Sequence, residues 1–213
     1  FDALGEGPKS TLELEKKLDT DTRATSTLLS PLAAVGLVKK EGNLWKNSAV
    51  AEKNLVRGKT SYFGTYLSAS VIDQLYGRMQ NLTNVMINGN PNAEFWKGWR
   101  KKAETFVAGQ HTGSLATAHY LIKKNKLDLS GSKAFLDLGG GSGAYCIVAC
   151  QTYPALKACC VDFQEVIDVA RGFIAESGVA DRIIAMLLSY KDDPLPEGYD
   201  FIWFGGTLQS YSY

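Results

Sequence analysis

The sequence predicts an α/β protein in two parts: a small, mostly helical winged unit, then a parallel sheet flanked by helices. Three observations predict it. A glycine-rich turn, Gly139-Gly140-Gly141-Ser142-Gly143, sits between a short apolar strand and an apolar helix, and a second strand follows it. The first sixty residues read as helix, turn, helix and hairpin, and residues 61–125 carry no convincing strand. The composition suits such a chain. It has 213 residues, 45% hydrophobic and 21% charged, enough for one large domain or two small ones and too apolar for disorder. A formal net charge of +1 gives no general field for nucleic acid or an anionic membrane. No apolar run approaches the roughly 18 residues that would span a bilayer. Phe1-Asp2-Ala3-Leu4-Gly5-Glu6 lacks the basic start and apolar stretch of a signal peptide. The chain opens without methionine, so the true N-terminus and any targeting segment stay open.

In the first unit, Ser10-Thr11-Leu12-Glu13 offers a cap and an acid to a short helix ending near Leu18. Asp19-Thr20-Asp21 caps a second helix, whose Leu28, Leu29, Leu32 and Val35 form one apolar stripe, with Pro31 placed to kink or divide it. Gly36 is the expected stop. Leu37-Val38-Lys39-Lys40, Glu41-Gly42-Asn43 and Leu44-Trp45-Lys46-Asn47 then read as strand, turn, strand. A DNA-reading helix needs side chains directed at base edges, whereas this second helix offers Arg23 among Thr, Ser, Ala and Leu. Packing or dimerisation is the favoured use.

Helical spacings continue over residues 62–81 and 94–107, with a loop at Asn88-Gly89-Asn90-Pro91-Asn92 between them. Gln110-His111-Thr112-Gly113-Ser114 is an unusually polar stretch that opens another helix, running to about Lys126, and is a candidate lid. His119 is eight residues beyond His111, about 80° around the helix, so the two are no ligand pair.

The glycine turn carries the functional signal. Ala134-Phe135-Leu136-Asp137-Leu138 leads into it, an apolar helix follows, and a strand from Lys157 ends at Asp162. Glycines allow a ligand to approach with no Cβ in the way, and the helix N-terminus presents free N–H groups. Asp162 suits the two hydroxyls of a ribose, so a nucleoside-containing ligand is expected. Gly139-x-Gly141-x-x-Ala144 also satisfies the dinucleotide fingerprint. Asp137 argues against that, because a carboxylate there disfavours a pyrophosphate and serves a cationic amino group. The four cysteines, Cys146, Cys150, Cys159 and Cys160, have no C-x-x-C spacing and read as reduced core residues of a reducing, cytoplasmic compartment, with no metal.

Asp137-Leu138-Gly139-Gly140-Gly141-Ser142-Gly143, Val161-Asp162-Phe163-Gln164-Glu165-Val166 and Asp193-Pro194-Leu195-Pro196-Glu197-Gly198 resemble the S-adenosylmethionine-dependent O-methyltransferases of the caffeate and hydroxyindole type. The likeness extends to Phe1-Asp2-Ala3-Leu4, Gly36-Leu37-Val38 and residues 106–114. It implies a winged-helix dimerisation domain (1–60), a helical linker (61–109) and a Rossmann-like catalytic domain (110–213), working as a homodimer on a small-molecule methyl acceptor. It puts Asp137, Gly139 and Gly141 around the methionyl end of S-adenosylmethionine, Asp162 on its ribose and Phe163 against its adenine. Ser114 falls where the family has a serine reaching the cofactor from the lid helix. Tyr190 fits an adenine wall; the Ser189 before it replaces the family's acid.

The larger departure is Leu208-Gln209-Ser210-Tyr211, where the family has leucine, histidine, aspartate and tryptophan, the histidine deprotonating the acceptor. An amide is no general base near neutral pH. A phenol or alcohol must lose a proton, whereas a thioether or neutral amine already carries a free lone pair. Gln209 therefore points to a sulfur acceptor, for example a methylthio-acid, or to nitrogen, with Gln209 orienting the substrate. Oxygen methylation with another base, such as His111, is the alternative, and loss of transfer chemistry is a third. Two other classes are weighed: a dinucleotide-dependent oxidoreductase, disfavoured by Asp137, and a non-catalytic winged-helix regulator sensing a nucleoside ligand. Four strands are readable, near Phe135, Ala158, Ile183 and Phe201. A complete sheet of this type has more, so chain beyond Tyr213 is expected.

Overall fold

The structure is a computed structural model that describes residues 1–68, 72, 75–88, 93–189 and 193–207, without the side chains of 77, 78 and 93–102. Two units emerge, Phe1–Gly64 and Thr65–Tyr213.

The first unit runs α1 (Asp2–Gly5), β1 (Lys9–Ser10), α2 (Thr11–Leu18), α3 (Thr22–Ala34), β2 (Val38–Glu41), β3 (Leu44–Asn47) and α4 (Ala49–Asn54). Ser10 forms the expected capping box: its hydroxyl accepts from the Glu13 N–H while the Glu13 carboxylate accepts from the Ser10 N–H at 2.7 Å. Asp21 caps α3 by accepting from the Ala24 N–H at 2.7 Å. Pro31 lies within α3 without dividing it. The hairpin β2–β3 closes through a two-residue turn, with Glu41 opposite Leu44, and β1 pairs with the other edge of β3. The expected stripe on α3 is only partly internal. Leu29 is buried with Leu4, Leu14, Val38 and Trp45, and Leu32 packs against them, whereas Leu28 and Val35 face solvent. The small sheet and α2 leave room for one row of α3 side chains, so the apolar residues flanking that row stay outside.

The second unit continues through α5 (Gly64–Tyr66), α6 (Tyr76–Gln80), α7 (Leu82–Asn88) and α8 (Ala93–Lys123) to β4 (Ala134–Leu138), α9 (Ala144–Thr152), β5 (Lys157–Asp162), α10 (Gln164–Glu176), β6 (Ile183–Leu187) and β7 (Phe201–Trp203). The strands stand in the order β6-β5-β4-β7 and all pair in parallel. The chain thus builds outward from β4 to β6, then crosses back to the other side of β4. That reversal opens a crevice at the carboxyl ends of β4 and β7, where α/β sheets of this kind bind ligands. Phe135, Leu136, Cys159, Cys160 and Val161 are fully buried, as strands covered on both faces require. The four cysteines are free thiols in this core.

One expectation is corrected. Residues 110–114 do not open a new helix; they lie in the middle of α8, which runs unbroken for 31 residues. Its earlier half buries Ala103 and Val107 against Val166 of α10, and its later half packs Leu115, Leu121 and Ile122 on the core under the sheet. Packing at both ends carries the helix through its polar centre.

Candidate functional site

Asp137 is the penultimate residue of β4, paired with Cys160 on one side and Trp203 on the other. After Leu138 the chain turns sharply back over the sheet. Gly139 has φ +72°, and a Cβ there would run into the Thr207 hydroxyl, so both conformation and space require glycine. Gly141 has φ +57° and open space above it, so an approaching ligand meets backbone there. The N–H groups of Gly139 and Gly140 both donate to the Val161 carbonyl, at 2.8 and 3.1 Å, which pins the turn to the end of β5. Gly143 then leads into α9, whose N-terminus points its free N–H groups toward the turn.

Asp162, at the tip of β5, completes the cradle. One carboxylate oxygen accepts from the Gly141 N–H at 3.0 Å and the other from the Phe163 N–H at 2.8 Å. Each oxygen retains a lone pair for a further donor. Asp137 is 2% exposed and Asp162 6% exposed. Burial, and then the nearby charge of Asp162, push Asp137 up to about 8. Burial pushes Asp162 up to about 6, against the pull of its two backbone N–H donors. Nothing cationic lies among the groups that shift either carboxyl. Two buried acids with no counter-charge among the described residues, beneath a turn open to backbone contact, suit a ligand that is cationic at one end and carries vicinal hydroxyls.

The structure places the other expected residues as follows. Phe163 is half-buried at the start of α10, directly after Asp162. Ser189 follows β6, where its N–H donates to Asp193 at 2.8 Å. His111 and Ser114 share one face of α8, three residues apart. The His111 Nδ1 lies 2.8 Å from the Ser142 hydroxyl in the glycine turn, and its ring stacks on Phe173 of α10, centroids 3.7 Å apart. Burial lowers His111 to about 4, so the imidazole is neutral at pH 7. Tyr190 and Gln209 lie outside the described residues.

Several neighbours of the site were not singled out from sequence. Phe173 lies within the α10 run that also holds the buried Val166, Ile167, Ala170 and Ile174, so nothing local in the sequence sets it apart. Tyr145, in the first turn of α9, packs on Trp203 with ring centroids 5.3 Å apart. The buried Trp203 indole N–H has no hydrogen-bond partner among the described residues. Helix packing on the sheet brings Tyr145 to Trp203, and α10 against α8 brings Phe173 to His111.

Residues 86–209 match a protein family described as an O-methyltransferase domain. The chain is 30% identical over 217 aligned residues to 3-hydroxy-5-methyl-1-naphthoate 3-O-methyltransferase of Streptomyces sahachiroi, an alignment that covers 99% of this chain and 62% of that protein. It is 26% identical to N,N-dimethyltransferase OxyT of Streptomyces rimosus, covering 99% of this chain and 63% of that one. The chain therefore spans a little over six-tenths of the length of these relatives. The fold matches human N-acetylserotonin methyltransferase, solved in complex with SAM, with TM-score 0.79 and 19% identity over 99% of this chain and 64% of that one.

Proposed function

Because the chain belongs to the O-methyltransferase domain family, we propose that it binds S-adenosylmethionine at the glycine turn and methylates a small molecule. One observation carries the reading: Asp137 and Asp162 are buried on either side of a backbone-lined turn, with no cation among the described residues that shift them. Asp137 and the N–H groups of the turn hold the methionyl end, and Asp162 accepts from the ribose hydroxyls. Phe163 and Tyr190 flank the adenine, with Ser189 beside them, and Ser114 approaches from α8. The bound cofactor supplies an electrophilic methyl group on a sulfonium. For the chain's own residues, what remains is to orient the acceptor and exclude water, because in-line displacement responds strongly to positioning.

The acceptor atom is proposed to be nitrogen or sulfur. Gln209 cannot take a proton, and His111, held near 4, is a weak base. The dimethyltransferase OxyT, named for nitrogen, is among the relatives. Oxygen is the second reading, favoured by the naphthoate 3-O-methyltransferase. A labelled methyl donor offered with amine, thioether and phenol panels separates them. Turnover confined to phenols and rising with their acidity would overturn the first reading.

Dimerisation is part of the proposal. Tyr76, Met79, Leu82, Met86 and Ile87 expose large apolar side chains on α6 and α7, a surface suited to a second copy. A regulator that reads DNA is disfavoured by α3, which offers Arg23 as its one basic residue.

Calorimetric titration of the full-length protein with S-adenosylmethionine and with NAD tests the cofactor. The expected result is saturable binding of the methyl donor alone, lost in Asp137→Ala and in Asp162→Ala. Binding of NAD instead, or of neither, would overturn the reading.

A further inference from the structure

His111 stands where three elements meet. The part of α8 before it packs on α10 through Ala103 and Val107, and the part after it packs on the sheet core through Leu115, Leu121 and Ile122. Between these stretches the imidazole lies nearly parallel to Phe173 of α10, the planes 12° apart, and its Nδ1 shares a 2.8 Å hydrogen bond with Ser142. Ser142 is 5% exposed, so its end of the bond is shielded from water. The residue before it, Gly141, donates its N–H to Asp162. A continuous path therefore runs from α8 through His111, Ser142 and Gly141 to the Asp162 carboxylate. Ser114 lies three residues along the same face of α8, so whatever fixes His111 also fixes where Ser114 faces.

We infer that His111 is a positioning residue for the cofactor: through Ser142 it locks the peptide that holds Asp162 and sets the register in which α8 presents Ser114. The inference rests on the cofactor reading above. It gives His111 a task that needs a hydrogen-bonding ring of fixed orientation and no proton transfer. A neutral, half-buried imidazole suits that task, with Phe173 covering one face of the ring and Ser142 taking one nitrogen.

The test uses the full-length protein and S-adenosylhomocysteine, which reports binding without turnover. His111→Leu and Ser142→Ala remove the two ends of one bond, and each is expected to weaken binding about tenfold. The double variant is expected to lose no more than either single one, because coupled residues are non-additive. An asparagine amide sits near where Nδ1 of histidine would be, so His111→Asn is expected to stay within about threefold of wild type. In the wild type, the His111 imidazole signals should shift on titration, and Ser142→Ala should lose that shift. Should His111→Leu fail to fold, Ser142→Ala and His111→Asn carry the comparison. Wild-type affinity in Ser142→Ala, or losses that simply multiply in the double variant, overturns the inference and leaves the cofactor site standing. A wild-type protein that binds no S-adenosylhomocysteine overturns the cofactor reading, and this inference falls with it.

Discussion

The Asp137 carboxyl, held near 8, makes the site's affinity depend on pH, and the sign follows from linkage. Its ordinary value is 3.8 and its folded value about 8, so the empty folded protein binds the extra proton between those limits. The stability this group contributes is full below 3.8 and is lost as the pH rises through 8. A cationic ligand reverses the preference by favouring the carboxylate. Binding below pH 8 must then expel a proton, and affinity for S-adenosylmethionine should rise from pH 6 to 8 and level off above. Calorimetry at pH 7 in buffers of different ionisation enthalpy should register net proton release, and Asp137→Asn should bind more weakly with that slope gone. A flat wild-type profile would refute the assignment. His111 has the opposite sign. Its folded value of about 4 lies below the ordinary 6.5, so its contribution is present above 6.5 and is lost as the pH falls through 4. Thermal midpoints of wild type and His111→Asn should therefore diverge in that window. Both carboxylates were legible in the sequence, because their places beside the glycines and at a strand tip carry chemical meaning. The bond from His111 to Ser142 was not, since the partners are 31 residues apart and meet only through packing.

At the scale of elements, the four strands and the glycine turn were readable because the strands are short apolar runs bounded by turn residues. Helix α8 was misread as two because polarity and Gly113 at its centre argue locally for a break, and packing at both ends overrides them. The stripe on α3 was over-assigned for a related reason: periodicity shows which side chains share a face, but only the neighbours decide how many are covered. The turn gives a sharp element-level prediction. Gly139→Ala combines a left-handed φ of +72° with a collision at Thr207, so it should abolish cofactor binding while the sheet survives. Phe135→Ala, which empties a fully buried position in β4, should cost about 3–5 kcal/mol and unfold the sheet at much lower denaturant. Loss of binding with a modestly lowered unfolding midpoint in the first variant, against loss of binding with a much larger fall in the second, separates turn from core. Equal binding by Gly139→Ala and wild type would remove the turn from the site.

For the whole molecule, the open question is what covers its exposed apolar surface. Met86 is 77% exposed and Ile87 75% exposed, adjacent on α7, with Tyr76 at 74% on α6. Single exposed apolar residues are ordinary, but a group of this size on two successive helices marks an interaction surface. Obligate interfaces between identical chains are more apolar than the rest of the surface, which favours a second copy as the occupant. Replacing Met86 with Glu and Ile87 with Lys puts a charge of each sign there and leaves net charge unchanged, so any effect reflects lost apolar contact. Neither side chain is part of a buried core, so folding should be spared. Light scattering coupled to gel filtration should find the wild type as a dimer and the double variant as a monomer with an unchanged far-ultraviolet dichroism spectrum. A variant that remains dimeric would move the interface away from α6 and α7, and a monomeric wild type would remove the dimer altogether.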